Sequence, residues 1–449
     1  MKKQIFSCIN CGAQYPKWVG RCAECGKWGT IQQESGLTAE RKAATAHVSA
    51  GKVLALDQVG EVATQRVHTR LSEVDRVLGG GLVPGSVVLL AGEPGIGKST
   101  LVLQMAAGAE AEAKTILYVA GEESPEQIRL RIQRLGLKFS GLGFLPEVNV
   151  EVVVKTIEQE KPGLVVVDSI QTMRHEEVDS EAGSVTQIRA ATSVLLQLAK
   201  QTHVPIIIIG HVNKDGMVAG PKALEHLVDA VMYLEGERTH PYRVLRAEKN
   251  RFGSTNEVGI FDMQERGLIE VANPSELFLD GRHAVSGSCV TALMEGSRPL
   301  LLEVQALVQR TVFGFPLRKA SGFDLNRLHV LLAVLEKRAG VGVSTQDVHV
   351  NVVGGLRADD PGVDLAVCLA VASSASGQVI PQGLMAMGEV GLGGEVRPVG
   401  RAQDRVNEAL KLKFNTVLVP RRSKVKVPQG LKVVEVESVG EALRALKMN

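Results

Sequence analysis

The chain has 449 residues, of which 45% are hydrophobic and 22% charged, and its formal net charge is +2. Apolar runs such as 205–209 are strand-sized, far below the ~20 residues that span a bilayer, and the first residues lack the apolar core of a signal peptide. We therefore expect two or three globular domains in the cytoplasm, with no membrane partner, while the balanced charge neither requires nor excludes a nucleic-acid partner.

The N-terminal region carries two C-x2-C pairs separated by ten residues: Cys8, Cys11, Cys22 and Cys25. Thiolates at this spacing predict a tetrahedral zinc site. Two disulfides are the alternative, which a reducing cytoplasm disfavours. We predict a C4 zinc finger over residues 1–33 that folds only with its metal, in which Trp18 and Trp28 either cover the site or stack on bases. The other two cysteines, Cys289 and Cys368, are expected in a core.

Three regions follow the finger. Residues 34–60 are rich in Ala, Thr, Gly and Ser, which predicts a flexible linker. From 61 to 272, strand-like runs alternate with longer amphipathic segments, which predicts an α/β domain with a largely parallel sheet. Its expected strands are 86–91, 115–120, 164–168, 205–210, 230–234 and 242–247. The region 273–449 mixes strands and helices in a pattern that is less readable.

The sequence GEPGIGKST lies between an apolar strand and a helix-like segment. Glycines let backbone N–H groups crowd around a polyphosphate, Lys98 can reach the outer phosphates, and the Ser99 hydroxyl can ligate magnesium. We therefore predict that the loop binds a nucleoside triphosphate with Mg²⁺, and ATP is the cofactor that we expect. The candidate cofactor-binding residues are Gly92, Glu93, Pro94, Gly95, Ile96, Gly97, Lys98, Ser99 and Thr100.

Carboxylates follow two of the predicted strands. Asp168 ends a buried strand and is the candidate for a second magnesium ligand beside Ser99, with a helix cap as the alternative. Glu122 and Glu123 follow another strand at the edge where ligands of such sheets bind. We favour Glu122 to activate the attacking water, but the choice between the two stays open, since one or both can belong to a solvated capping turn. His211 follows a further strand, where it would sense the terminal phosphate or be structural.

This order of motifs resembles the RadA (Sms) family of bacterial DNA-repair proteins, whose ATPase core is similar to RecA and to DnaB-type hexameric helicases. The resemblance covers nearly the whole chain and rests on the four cysteines, GEPGIGKST, VVVDS and the KNRFG sequence at 249–253. It implies an α/β RecA-like P-loop ATPase core with an N-terminal zinc knuckle and a C-terminal α+β Lon-protease-like domain. The implied activity is that of a DNA-dependent ATPase in recombinational repair, a hexameric ring that translocates on single-stranded DNA and promotes branch migration.

The resemblance also implies partners and further site residues. Expected partners are single-stranded DNA, branched recombination intermediates, a RecA-type recombinase and other replication and repair proteins. Lys249 and Arg251 would complete the nucleotide site of a neighbouring subunit, with the holding of a turn or a DNA phosphate as the alternative. Loops 173–183 and 213–221 correspond to DNA-binding loops. The implied catalytic residues are Lys98, Glu122, Asp168, Lys249 and Arg251, and the DNA-binding candidates are Lys214, Lys222, Lys249 and Arg251.

The Lon-like region lacks the residues that peptide hydrolysis requires. A Lon protease pairs a serine nucleophile with a lysine base. Here Val363 or Asp364 stands where the serine belongs, and Gln403 stands at the lysine position. We therefore predict an inactive protease domain that closes a ring and adds DNA contacts. The alternative function for the whole chain is a RecA-like assembly scaffold or timer, similar to clock-type KaiC ATPases, without DNA translocation.

Overall fold

The computed structural model describes residues 6–8, 13–33, 65–211, 221–236, 241–312, 314–354 and 357–448. Cys11, Lys214 and the predicted linker 34–60 lie outside the described residues. The chain forms two compact units. Unit 1 comprises Met1–Glu235, Leu245–Thr255 and Met263–Ile269, and unit 2 comprises Gly236–Val244, Asn256–Asp262 and Glu270–Asn449.

The N-terminal part of unit 1 is a small antiparallel sheet. Its strands are β1 (Phe6–Cys8), β2 (Gln14–Tyr15) and β3 (Ile31–Gln33), in the order β2-β1-β3. The buried residues of this module are Cys8, Cys22 and Ile31. Because two of these three are potential metal ligands, the apolar core is too small to hold the module together by burial alone.

The larger part of unit 1 alternates strands and helices. Its first elements are α1 (Ser72–Leu78), β4 (Val87–Gly92), α2 (Lys98–Ala113), β5 (Ile116–Ala120), α3 (Pro125–Leu135) and β6 (Leu142–Leu145). They are followed by α4 (Val150–Glu160), β7 (Leu164–Asp168), α5 (Val185–Thr202), β8 (Ile206–His211) and β9 (Ala230–Glu235). These strands are parallel neighbours in the order β9-β4-β8-β7-β5-β6.

The burial of its strands is typical of a parallel sheet. β4 and β5 are buried along their whole length, as expected for apolar runs of a parallel sheet covered on both faces by helices. The crossover helices bring every carboxyl end to the same edge of the sheet. In register, Gly92 lies opposite His211, and Ala120 lies opposite Asp168. The edge that follows these residues is therefore the place where a ligand can bind. The strand order continues beyond β9 with β10 (Tyr242–Asn250), β11 (Val258–Gln264) and β12 (Gly267–Glu270).

Unit 2 is built on a mixed seven-stranded sheet. Its strands are β13 (Ser288–Glu295), β14 (Arg298–Arg310), β15 (Arg318–Ser321), β16 (Gln346–Val352), β17 (Leu384–Ala386), β20 (Thr416–Pro420) and β21 (Lys432–Val436), with a separate pair β18 (Glu389–Val390) and β19 (Val396–Arg397). Its helices are α6 (Pro274–Leu279), α7 (Leu325–Ala339), α8 (Asp364–Ser376), α9 (Ala402–Lys411) and α10 (Val439–Ala445).

Helix α8 lies at the centre of the unit 2 core. Residues 364–373 of this helix are all buried, which explains why its sequence, DLAVCLAVASSAS, lacks an amphipathic pattern. Cys289 and Cys368 are fully buried, as predicted, and burial raises the pKa of the Cys289 thiol to about 12. Among the residues described here, no helix is long and apolar enough to cross a membrane.

Candidate nucleotide and zinc sites

The phosphate loop connects the carboxyl end of β4 to the amino end of α2. Gly95 and Gly97 have φ angles of 78° and 115°, a region that favours glycine. A Cβ atom on Gly92 would lie 2.6 Å from the Leu234 carbonyl oxygen. Helix α2 starts at Lys98 without a side-chain cap from any described residue, so the positive end of its dipole lies at the loop. The loop thus has the backbone shape and polarity to bind a polyphosphate.

Lys98 is held at the base of this loop. Its side chain is 4% exposed, and its ammonium donates to the carbonyl oxygens of Gly92 at 2.9 Å and Glu93 at 3.0 Å. Burial lowers the pKa of Lys98 to about 8, while the negative charges of Asp168 and Glu122 act in the opposite direction. A phosphate group would add the negative charge that stabilises this buried cation. Lys98 therefore fits the predicted role of a phosphate ligand.

Glu122 and Glu123 have different partners, which bears on the choice that the sequence leaves open. The Glu122 carboxylate accepts a hydrogen bond from the Ser169 hydroxyl at 2.8 Å. Glu123 forms a two-pronged ion pair with Arg131, with distances of 2.6 and 2.7 Å. Glu122 is exposed and lies close enough to Lys98 to affect its pKa. Of the two, Glu122 is the one that acts on Lys98 and has no arginine partner among the described residues.

Asp168 ends β7, next to Ser169. Its carboxylate accepts a hydrogen bond of 2.6 Å from the hydroxyl of Tyr118. Burial, with the Asp168 charge, raises the pKa of Tyr118 well above its usual range, so this phenol remains a donor. The alternative role of Asp168 as a helix cap is filled by Ser184, which caps α5. Asp168 and the half-buried Ser99 offer the hard oxygen ligands that Mg²⁺ prefers.

His211 ends β8 directly beside the phosphate loop. Its Nδ1 atom is buried and has no hydrogen-bond partner among the described residues. Burial lowers the pKa of His211, and the positive charge of Lys98 lowers it further. An unpaired buried polar atom costs about 1–3 kcal/mol. A polar ligand bound at the loop would remove that cost, which supports a nucleotide at this place.

Lys249 belongs to β10 and binds the turn that precedes β9. Its ammonium donates to the carbonyl oxygens of Glu225 at 2.6 Å and Val228 at 2.8 Å. Burial lowers the pKa of Lys249, with the Arg251 charge acting in the same direction. These contacts correspond to the alternative considered for this residue, the holding of a turn, rather than to the predicted catalytic role.

Arg251 follows β10 and is less constrained. Its guanidinium donates to the Asp229 carboxylate at 3.0 Å, and 49% of the side chain remains exposed. Asp229 is buried and also accepts a hydrogen bond from the Val87 backbone N–H at 3.1 Å. Asp229, the partner of Arg251, therefore also contacts the start of β4, the strand that carries the phosphate loop.

The first of the two predicted DNA loops is acidic. In residues 173–183, the buried Gln187 amide donates to three backbone carbonyls of the loop. This loop has one arginine and four carboxylates: Glu176, Glu177, Asp179 and Glu181. Its charge makes it a poor phosphate-binding segment. Lys222 is exposed in a short 3-10 helix, Pro221–Ala223, whereas residues 213–220 with Lys214 lie outside the described residues.

Three of the four predicted zinc ligands converge in the N-terminal module. The Sγ atoms of Cys8, Cys22 and Cys25 all lie within 4.8 Å of one another, and those of Cys8 and Cys25 are 3.7 Å apart. Four sulfurs at ~2.3 Å from a central zinc are separated by roughly 3.8 Å. A disulfide would require about 2.05 Å. The arrangement therefore fits a zinc site and contradicts the alternative of disulfides among these three cysteines.

Replacing Cys22 by serine is expected to release the metal. Cys22 is fully buried, so its loss both removes a thiolate and opens the module. After dialysis, metal analysis should find about one zinc per chain in the natural protein and a small fraction of that in the variant. Cys289→Ala, which alters a buried cysteine of unit 2, is the control and should keep its zinc. Equal zinc content in all three proteins would refute the site.

In unit 2, the stretch that the resemblance matches to the Lon nucleophile includes Asp360, which pairs with a buried arginine. Arg405 is 2% exposed, and its guanidinium contacts the Asp360 carboxylate at 2.5 Å. A Cβ atom on Gly362 would lie 2.8 Å from this guanidinium. Val363 is fully buried, and the Gln403 amide donates to Asn407 and to the Lys426 carbonyl. None of these residues offers a nucleophile paired with a base.

Sequence reasoning missed the residues that hold the site residues in place. These are Tyr118, Arg131, Ser169 and Asp229. Ser169 and Asp229 have a weak sequence signal, because each adjoins a strand end. Tyr118 and Arg131 have none, since their partners lie 50 and 8 residues away along the chain.

Three stretches of the chain match known protein families. Residues 53–217 match an AAA domain, residues 6–33 a rubredoxin metal binding domain, and residues 336–448 the Lon protease (S16) C-terminal proteolytic domain. The predicted fold class is confirmed, and so are ATP, Mg²⁺ and zinc as cofactors. Because the phosphate loop lies inside the AAA domain, unit 1 contains an ATP-hydrolysing domain.

Individual proteins match the whole chain. DNA repair protein RadA of Bacillus subtilis is 48% identical over 450 residues, covering 98% of both chains. DNA repair protein RadA of Listeria monocytogenes is 47% identical over 445 residues, covering 98% of this chain and 97% of that protein. A solved structure titled as the RadB recombinase is 24% identical and covers 46% of this chain and 99% of that chain, with a TM-score of 0.37, too low to support a conclusion. On the full-length identity to its relatives, the chain belongs to the family of the DNA repair protein RadA.

Proposed function

We propose that the chain is a DNA-dependent ATPase of recombinational DNA repair, which assembles into a ring, translocates on single-stranded DNA and promotes branch migration. The name of its relatives, DNA repair protein RadA, supports the repair role. The observation that carries the ATPase role is the cluster of four charged or titratable residues at one edge of the parallel sheet: Lys98, Glu122, Asp168 and His211.

Each residue of the cluster receives a role from its surroundings. The Lys98 ammonium binds the outer phosphates in place of its present carbonyl partners. Glu122, oriented by Ser169, accepts the proton of the attacking water as the bond between the β-γ bridging oxygen and the γ-phosphorus breaks. Asp168, oriented by Tyr118, would hold Mg²⁺ together with Ser99. When bound, Mg²⁺ neutralises charge on the phosphate oxygens. His211 contacts the terminal phosphate through its unpaired ring nitrogen.

Arg251 is the candidate for a basic group that acts on the nucleotide of a neighbouring subunit. It is half exposed and, among the described residues, its guanidinium is held by Asp229, whereas Lys249 is bound to backbone carbonyls of its own subunit. We therefore assign the intersubunit role to Arg251 alone and a positioning role to Lys249. Hydrolysis would then depend on assembly, as in other ATPases that use an arginine finger.

Replacing Arg251 by alanine is expected to reduce DNA-stimulated ATP turnover about 100-fold or more, because arginine fingers contribute 10³–10⁵ in well-studied enzymes. Nucleotide affinity should change little, since Arg251 does not contact its own phosphate loop. Mixing this variant with Lys98→Ala protein gives a sharper test. The Lys98→Ala subunits supply an intact Arg251 to neighbours with an intact loop, so the mixture should recover turnover. A mixture as inactive as its components would contradict an intersubunit role.

The proposed contacts with DNA are electrostatic. Of the predicted DNA loops, the acidic segment 173–183 does not suit phosphate binding, so we assign the contacts to the second loop, with Lys214 and Lys222 as candidates. Phosphate contacts of this kind release counterions, and affinity should fall steeply with salt. The partners remain those expected from the family: single-stranded DNA, branched intermediates, a RecA-type recombinase and copies of the same chain.

The test of the proposed function is ATP hydrolysis at fixed low salt during a titration with single-stranded DNA. Lys98→Ala protein is the control for contaminating ATPases. Strong stimulation by DNA, absent from the control, supports a DNA motor, and a branch-migration assay on a preformed joint then tests the movement. Turnover that depends on Lys98 but is indifferent to DNA would instead favour the alternative, an assembly scaffold or timer.

A further inference from the structure

Both tryptophans of the 449-residue chain lie in the zinc module, and both are exposed. The exposed fraction is 62% for Trp18 and 75% for Trp28. Neither belongs to the buried cluster around the cysteines, which consists of Cys8, Cys22 and Ile31. The two rings therefore lie outside the buried core of the module. Large aromatic side chains are seldom left in water without a partner.

Both rings approach Gly20. A Cβ atom on Gly20 would lie 3.7 Å from a ring atom of Trp18 and 3.7 Å from a ring atom of Trp28. Gly20 is absent from the residues with positive φ, so its backbone does not require glycine. A side chain longer than a methyl group at this position would instead occupy the space beside both rings. The indole N–H of Trp18 donates to the Ile31 carbonyl oxygen at 3.3 Å, which fixes the orientation of that ring.

Three cations lie near the tryptophans along the chain. The Arg21 guanidinium lies 5.9 Å from the centroid of the Trp28 ring, and its Nε donates to the Gly26 carbonyl oxygen at 2.8 Å. Lys17 and Lys27, both exposed, precede the two tryptophans in the sequence. Against these three cations, residues 13–33 contain one carboxylate, that of Glu24. We call the set Trp18, Gly20, Arg21 and Trp28 the tryptophan face.

We propose that the tryptophan face binds single-stranded DNA by stacking bases on its rings, with the neighbouring cations contacting phosphates. Aromatic platforms beside positive charge are the means by which proteins bind single strands without reading sequence. A duplex offers no unstacked base faces, and an apolar protein partner would not require the cations. The proposal rests on the proposed function in its choice of DNA as partner. It adds a second point of contact, on a module separate from the loop at 213–221.

Intrinsic fluorescence tests the proposal directly, because all tryptophan emission of the full-length chain comes from this face. Zinc-loaded protein without nucleotide is titrated with a dT30 oligonucleotide and, separately, with a duplex of the same length. Binding is followed in parallel by the anisotropy of a labelled dT30. We expect quenching by dT30 that saturates together with the anisotropy, and little quenching by the duplex.

Substitutions distinguish a loss of base stacking from a loss of the folded, zinc-bound module. Trp18→Ala and Trp28→Ala should each weaken dT30 binding about 10-fold, within the range for loss of one stacked base. Gly20→Leu should weaken binding by occupying the space beside both rings, with zinc content unchanged. Phe315→Ala, which removes an aromatic ring of unit 2 that is 90% exposed, should have no effect.

Two outcomes would overturn the proposal. If dT30 binds with unquenched emission and with equal affinity to the tryptophan variants, the face has another partner, such as a protein, while the proposed motor stands. If the chain binds no single-stranded DNA and its ATPase does not respond to DNA, the proposed function fails as well.

Discussion

ATP turnover is expected to fall about 100-fold or more when Glu122 is replaced by glutamine, because a positioned general base contributes 10²–10⁴ to a reaction rate. Glutamine preserves the size of the side chain and can still accept a hydrogen bond from Ser169, but it cannot take a proton from water. Binding of ATP should persist, since Lys98 and the phosphate loop are unchanged. Steady-state turnover and equilibrium binding of a fluorescent ATP analogue measure the two effects.

Glu123→Gln is a closely matched control, one residue away and with the same change in charge. Glu123 is paired with Arg131 through both carboxylate oxygens, so its replacement should weaken that contact and leave turnover within a few-fold of the natural protein. A larger loss in Glu123→Gln than in Glu122→Gln would reverse the assignment. Equal, large losses in both variants would indicate that the segment acts through its conformation rather than through one base.

The second large effect is expected from Arg405. Replacing it by alanine leaves the Asp360 carboxylate without its ionic partner, and breaking a buried ion pair costs about 3–5 kcal/mol. Asp360 also accepts hydrogen bonds from the backbone N–H groups of Met294 and Gly362, so the loss spreads to β13 and the start of α8. Hydrogen exchange of the α8 amides, followed by mass spectrometry, should accelerate about 100-fold or more, the factor that 3 kcal/mol represents.

Arg397→Ala is the control for this experiment, because its ion pair with Glu395 is exposed on both sides and such pairs contribute little. The double variant Asp360→Ala with Arg405→Met removes both charges. It should exchange more slowly than Arg405→Ala, since apolar replacement of a buried pair is often tolerated. Exchange in Arg405→Ala as slow as in Arg397→Ala would show that the buried pair does not support the unit.

Local sequence determined the secondary structure and the chemistry of the nucleotide loop. The run 164–168 and the strand Leu164–Asp168 coincide, and the run 230–234 lies within the strand Ala230–Glu235. Such segments are readable because apolar runs and periodicity act over a few residues. The short strand Leu142–Leu145 was missed because it is only partly buried and has no apolar run.

The zinc ligands and the phosphate loop were also readable from the sequence, because each set of ligands lies on one short stretch whose spacing imposes its geometry. The roles of Glu122 and Glu123 were not, since two adjacent glutamates look alike until the packing of β5 against β7 brings Ser169 to one and α3 brings Arg131 to the other. Lys249 and Arg251 likewise belong to one motif, yet of the two side chains it is that of Lys249 that is bound to backbone carbonyls.

The sequence by itself therefore determined the fold class, the family and the groups that can bind ATP, Mg²⁺ and zinc. Only the tertiary structure decided which carboxylate lies beside Lys98, which cation remains exposed, and that the two tryptophans lie outside the core of their module. The physical reason is distance along the chain. Motif chemistry depends on neighbours a few residues apart, whereas burial and ion pairing depend on partners that only folding brings together.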